Sequence, residues 1–140
     1  MRIKKLWTKN FTVASFTLTE VLVVLIIIGV LILLALPNLM PLITKAKTTE
    51  AKIQLQHVYT LEKNYFFENS SYSNSLSDIS FEQQPLSIQG GQANYKLEVV
   101  EASSTGFKVR ATAVVDFDGD GTLNVWEIDQ DKKMKEVTPD

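Results

Sequence analysis

The chain of 140 residues contains no cysteine and a single histidine, His57. The lack of cysteine excludes disulfides, thiolate metal sites and cysteine nucleophiles. His57 has no acid cluster near it, so we expect it at the surface or its boundary and not as a catalytic base. The chain also lacks a glycine-rich phosphate-binding motif. The composition therefore predicts that the protein is not an enzyme and carries no organic cofactor.

Basic residues are few and unevenly placed, with 14 Lys and Arg against 16 Asp and Glu. Residues 1–15 hold four of these cations and no acid. The rest of the chain is therefore acidic, which argues against a dedicated binder of phosphate backbones. We expect no specific nucleic-acid site. The four cations are Arg2, Lys4, Lys5 and Lys9.

A long apolar run follows the basic leader and covers residues 16–36. At about 1.5 Å of helical rise per residue, a run of this length matches the roughly 30 Å hydrocarbon core of a bilayer. An unbroken apolar segment is stable in lipid only as a helix. The sequence predicts one transmembrane helix, and the positive leader places its start on the cytoplasmic side.

One acidic residue, Glu20, lies inside this apolar run. A charge in the hydrocarbon core costs several kcal/mol, about 2.5 to 3.5 on insertion scales, and calls for a cationic partner. The nearest cations along the chain are Lys9 and Lys45. Cleavage between Ser15 and Phe16 would create an α-amino group about one helical turn from Glu20. The alternative is an uncleaved signal anchor in which Glu20 extends toward the cytoplasmic interface.

The residues around this site resemble the class III signal of type IV pilins and type II secretion pseudopilins. The shared pattern is a small residue, then Phe-Thr-Leu-x-Glu, then about twenty apolar residues, and the chain matches it at Phe16, Thr17, Leu18 and Glu20. The family usually has Gly before the cut, where this chain has Ser15. The resemblance implies that prepilin peptidase removes residues 1–15, that Phe16 is N-methylated, and that Glu20 and Phe16 direct assembly.

The same resemblance implies an α+β pilin fold, in which a long N-terminal helix packs on a small antiparallel sheet of about four strands. Residues 16–36 would form the transmembrane and assembly part of the helix, and residues 37–68 its amphipathic continuation. Residues 69–140 would form a loop and the sheet. Gly29, Pro37 and Pro41 are expected to weaken the helix, with a kink or melted turn near Pro37. Alternatively, Pro37 only marks the exit from the membrane.

The spacing of apolar residues supports this division. Apolar side chains recur at helical spacing up to about residue 67, and the segment 69–92 is polar with isolated apolar anchors. Alternating apolar and polar residues predict strands at 93–101 and 107–115, with shorter ones at 124–129 and 133–137. The helical positions are Ala51, Leu55, Val58, Leu61 and Tyr65, and the loop anchors are Tyr72, Leu76, Ile79, Phe81 and Leu86.

Residues 116–127 match the twelve-position calcium-loop template, with acids at its first, third and fifth positions and a glycine at the sixth. The predicted strands on both sides argue against an EF-hand. We therefore expect calcium at Asp116, Asp118 and Asp120 with the Thr122 carbonyl, and a weaker contribution from Glu127. The alternative is an Asp-Gly turn that joins two strands without a metal. The full candidate ligand set is Asp116, Asp118, Asp120, Thr122, Asn124 and Glu127.

The leading hypothesis is a structural subunit of a bacterial type IV pilus or related filament, with a secretion pseudopilin as an alternative. It would sit in the inner membrane as a single-pass protein before assembly, and in the periplasm or on the cell surface afterwards. Its partners would be further copies of itself, other pilin-like subunits, prepilin peptidase and the inner membrane. The competing hypothesis is an uncleaved, membrane-anchored calcium-binding module.

Overall fold

The computed structural model describes residues 15–139, apart from the side chains of Asn38 and Met40. The predicted leader therefore lies outside the described residues, except for Ser15. The described chain forms one long α-helix, a short 3-10 helix and four strands. Their bounds are α1 Leu18–Asn69, the 3-10 helix Ser87–Gln89, β1 Tyr95–Ala102, β2 Phe107–Ala113, β3 Val125–Asp129 and β4 Met134–Thr138.

The chain divides into two compact units, Met1–Pro37 and Asn38–Asp140. The described part of the first unit consists of the start of α1. Its segment Leu18–Pro37 has a mean hydropathy of 3.0 and none of it is buried within the protein. Among the described residues, this is the one helix long and apolar enough to cross a membrane, as the sequence predicts.

Helix α1 passes through all three positions that were expected to weaken it. Gly29, Pro37 and Pro41 lie inside the helical assignment Leu18–Asn69, so the structure has no melted turn near Pro37, and the alternative of a kink there stays a prediction. Each proline removes one backbone donor, and the helical bonds made by its neighbours are enough to keep this long segment helical. A Cβ at Gly29 would meet no atom within 4 Å, so no close contact requires glycine there.

The second unit is built on a four-stranded antiparallel sheet in the order β1-β2-β3-β4. This confirms the predicted sheet and the α+β class. Alternate residues of β2 point into the core, and the buried face of α1 covers them. Apolar side chains at helical spacing in α1 and at alternate positions in the strands thus pack against one another in one apolar layer. Its fully buried members include Ala51, Leu55, Val58, Tyr95, Phe107, Val109 and Ile128.

The segment between α1 and β1 is anchored as predicted. Tyr72, Ile79 and Leu86 are buried, and Leu76 and Phe81 are partly buried. Polar contacts add to these apolar ones. The Asn94 amide nitrogen and its backbone N–H both donate to the Glu50 carboxylate, at 2.7 and 2.8 Å. These bonds fasten the start of β1 to α1.

Candidate assembly segment and acidic loop

Thr17 precedes the first residue of α1 and caps the helix. Its hydroxyl oxygen accepts a hydrogen bond from the Glu20 N–H at 3.2 Å, and its carbonyl accepts from the Val21 N–H at 3.2 Å. Such a cap satisfies one of the backbone donors that a helix leaves free at its start. The spacing Thr-x-x-Glu is the sequence signal for this cap, and in this chain it coincides with the pilin pattern. The cap defines where the helix begins and places Glu20 in its first turn.

Glu20 lies beside a shallow apolar groove of about 210 Å³. Phe16, Val21, Val24 and Leu25 complete the lining of this groove. None of the ion pairs in the described part of the chain involves Glu20. The helix N-terminus offers it partial positive charge, but a full compensating charge must come from a group that the described residues do not supply.

The apolar side chains around Glu20 are exposed on every side of the helix. Phe16 and Leu18 are 78% and 87% exposed, and the large apolar residues from Val21 to Leu36 are all exposed as well. Helices that are apolar all round are stable in lipid or when covered by other helices. This segment therefore needs a membrane or neighbouring protein to cover it.

The acidic loop of the second unit gathers three carboxylates. Oxygen atoms of Asp116, Asp118 and Asp120 lie within 4.8 Å of one another. Gly119 and Gly121 both adopt left-handed backbone conformations, with φ of 83° and 90°, and glycine reaches such values without steric strain. The three carboxylates that the sequence analysis assigns to calcium therefore lie close together.

Backbone N–H groups of the loop already bind these carboxylates. Asp116 accepts from Gly119 at 2.6 Å and from Gly121 at 2.7 Å, one bond to each oxygen. These two bonds, with the Gly121 bond the stronger influence, lower the pKa of the Asp116 carboxyl. Asp120 similarly accepts from the Thr122 N–H at 2.7 Å. The loop is thus held in shape by its own backbone, which also favours the charged form of Asp116.

Asn124, a predicted ligand, does not turn toward the aspartates. Its side chain is fully buried, and its carbonyl oxygen accepts from the Tyr95 hydroxyl at 2.7 Å. Its amide nitrogen donates to the Glu136 carboxylate at 2.8 Å and to the Thr138 carbonyl at 3.1 Å. The ligand assignment of Asn124 is therefore wrong, because the side chain links β1 to β4 through the core.

Glu127 does not close the loop either. It lies in β3 opposite Arg110 of β2, and its carboxylate accepts from the Arg110 guanidinium at 2.9 Å from Nε and 2.7 Å from Nη2. A strand directs this side chain onto the sheet, whereas an EF-hand helix would return it to the metal. The expected contribution of Glu127 to the calcium site is therefore wrong, because its carboxylate forms an ion pair with two nitrogens of the Arg110 guanidinium.

The remaining residues still suit a hard cation. Calcium takes six to eight oxygen ligands, and the loop supplies three carboxylates with the predicted Thr122 carbonyl, leaving positions for water. The same geometry also serves a metal-free turn, because backbone donors satisfy Asp116 on both oxygens. Calcium binding at Asp116, Asp118, Asp120 and Thr122 stays a prediction.

Comparison with known proteins gives two relatives of one kind. The chain is 32% identical over 113 residues to the type IV major pilin protein PilA of Myxococcus xanthus, a match that covers 81% of this chain and 47% of that protein. It is 31% identical over 94 residues to the type IV wide pilus major component PilA4 of Thermus thermophilus, a match that covers 66% of this chain and 68% of that protein. The chain spans about half the length of the Myxococcus relative. No protein-family model matches it.

Proposed function

Because this chain belongs to the type IV pilin family, we propose that it is a structural subunit that polymerises through α1 into a type IV pilus. The observation that carries the proposal is a single carboxylate, Glu20, in the first turn of an exposed apolar helix. Both relatives are major pilus components, which favours a pilus over a secretion pseudopilin.

Before assembly the subunit is held in the inner membrane by residues 18–37, with the second unit outside the cytoplasm. Prepilin peptidase removes the leader between Ser15 and Phe16 and leaves a new amino terminus, which is then methylated. That terminus, on Phe16, immediately precedes the capping residue Thr17, so its charge lies near the first turn of α1. The role is structural and not catalytic.

Charge neutralisation then drives correct assembly. Glu20 needs a cation in a setting without water, and the amine of Phe16 supplies one from its own or a neighbouring subunit. The contact joins different surfaces of two copies and does not close on itself, so it is repeated along a filament. The large apolar residues of α1 from Val21 to Leu36, exposed in a single subunit, are covered by neighbouring helices of the same kind or of other pilin-like subunits.

The test is Glu20→Gln in cells that lack the wild-type copy. Insertion should be unchanged or improved, because a costly charge is removed, whereas sheared filaments should fall below detection. Glu68→Gln is the matched control, since it alters an exposed glutamate near the other end of α1 and should leave filaments normal. Normal filament yield from Glu20→Gln, with equal protein in the membrane, would overturn the proposal.

A further inference from the structure

The side chain of Gln83 occupies the open edge of the sheet. β1 is an edge strand, and two of its backbone groups bond to the Gln83 amide. The Leu97 N–H donates to the Gln83 oxygen at 3.0 Å, and the Gln83 nitrogen donates to the Tyr95 carbonyl at 3.1 Å. On a strand edge, such a donor and acceptor are the groups that the backbone of a neighbouring strand would bond. The Gln83 amide therefore occupies hydrogen-bonding positions that a neighbouring strand would use.

Among the described residues, further backbone contacts to this edge lie at its two ends. Before β1, Ala93 forms an isolated parallel bridge with Leu86. After β1, the Ser103 carbonyl accepts from the Tyr72 N–H at 3.0 Å. Between these contacts, the Gln83 side chain supplies two hydrogen bonds to the middle of the edge. An uncovered edge strand is a template for pairing with another chain.

The opposite edge of the sheet is protected differently. β4 carries the exposed Lys135, its pairing with β3 is irregular beside Val125, and Pro139 follows it. Charged residues, bulges and proline are common means of blocking a strand edge. β1 lacks a proline, its irregularity lies beyond Val99, and its exposed Lys96 and Glu98 have opposite signs, so its first half depends on Gln83.

The sequence of β1 is complementary to itself in one register. If two β1 strands pair antiparallel with Leu97 opposite Leu97, then Lys96 of each copy faces Glu98 of the other. The N–H of Leu97 points away from β2, toward Gln83. This direction is needed if the two Leu97 residues are to exchange backbone hydrogen bonds at the centre of the paired strands. Lys96 and Glu98 are both exposed, and opposite charges across strands stabilise such pairs.

We propose that the Gln83 side chain closes a self-pairing edge, and that β1 of a second copy of this chain, centred on Leu97, is the partner it excludes. The contact would join two sheets and would compete with ordered packing of subunits. It concerns the second unit only, so the inference holds whether or not α1 polymerises.

The experiment follows hydrogen exchange at the Leu97 amide of the full chain in detergent micelles, at low and high protein concentration. In dilute Gln83→Ala, exchange should be roughly tenfold faster, as expected when a hydrogen bond of ordinary strength is lost. At high concentration protection should return, because the second copy's strand replaces the amide. Gln84→Ala is the matched control, since Gln84 is exposed, and it should behave as wild type at both concentrations.

A charge exchange tests the register. Gln83→Ala with Lys96→Glu, and Gln83→Ala with Glu98→Lys, each place like charges opposite one another in a homodimer, so neither should recover protection when concentrated. An equal mixture of the two restores opposite charges and should recover it. Recovery by each double variant alone, or none in the mixture, would overturn the proposed partner strand.

A folded but inert variant would also overturn the proposal. If the Leu97 amide exchanges at the same rate in Gln83→Ala and in Gln84→Ala at every concentration, then Gln83 does not protect the edge of β1. If circular dichroism shows that Gln83→Ala has lost the sheet, Gln83→Met replaces it, because methionine keeps the length of the side chain but lacks the amide that bonds Leu97 and Tyr95. The same dependence on concentration is then expected, and its absence contradicts the inference.

Discussion

Replacing Asn124 with aspartate separates a role in the core from a role as a metal ligand. In the structure the Asn124 nitrogen makes two hydrogen bonds, to Glu136 and to the carbonyl of Thr138. Aspartate has no donor there when ionised, and its second oxygen would face another carboxylate. A ligand in the acidic loop, by contrast, would gain affinity for calcium from an added negative charge.

The magnitude follows from the bonds lost and from burial. Two hydrogen bonds of ordinary strength contribute about 1 kcal/mol each, and a buried acceptor left facing acceptors costs about 1 to 3 kcal/mol more. The side chain at this position is fully buried, so the aspartate cannot be relieved by water. We expect Asn124→Asp to lower the free energy of unfolding by about 3 to 5 kcal/mol. For a domain of roughly 100 residues that lowers Tm by about 12 to 40 °C.

The assay is thermal unfolding of the protein in detergent with calcium and with chelator. Asn74→Asp is the matched control, because Asn74 is exposed in the loop before β1, and it should change Tm little. The reasoning is refuted if Asn124→Asp melts within a few degrees of wild type. It is also refuted if calcium raises the Tm of the variant more than that of the wild type, since that would indicate that residue 124 is a metal ligand.

Three further predictions concern single residues. Glu62 is fully buried, and burial raises the pKa of its carboxyl above the ordinary 4.5 despite a hydrogen bond from the Ser73 N–H. The contribution of Glu62 to stability should therefore be full below pH 4.5 and be lost as pH rises through the folded-state pKa, and urea titrations of Glu62→Gln should lack this loss and show higher stability at neutral pH. Calcium at a hundredfold excess over its Kd should raise the free energy of unfolding by about 2.7 kcal/mol and raise Tm with it, and Asp118→Ala should abolish this rise. Equal Tm with calcium and with chelator in the wild type would show that the loop is a turn without a metal. Ser15→Lys should block the peptidase, which needs a small residue before the cut, so that immunoblots show only the precursor; a processed band would place the cut elsewhere.

The long elements could be predicted from the sequence because each has a strong periodic signal. The apolar run and the amphipathic spacing through Ala51, Leu55 and Val58 led to one helix, and α1 ends at Asn69, close to the predicted end. The alternation in β1 and β2 located two strands to within two residues. Such patterns reflect burial of whole faces, which local sequence records directly.

Individual polar residues were harder to predict because their partners are distant in sequence. Glu62 continues the buried helical face of Leu55 and Val58 by position, but an acidic side chain is not a sequence signal for burial. Its partner, the Ser73 N–H, lies beyond the end of the helix. Asn124 matched a loop template, yet its bonds run to β1 and β4. The sequence gives no indication that Gln83 binds β1, because nothing in the polar segment distinguishes this glutamine from its neighbour Gln84.

The most direct test of the filament role is the mass of the subunit in sheared surface filaments from the native organism. We predict a chain whose N-terminal residue is Phe16 with one added methyl group. Its presence in the filaments would show both the cleavage after Ser15 and the polymer. Filaments without this chain, together with a full-length form confined to the membrane, would contradict the account and favour the uncleaved anchor.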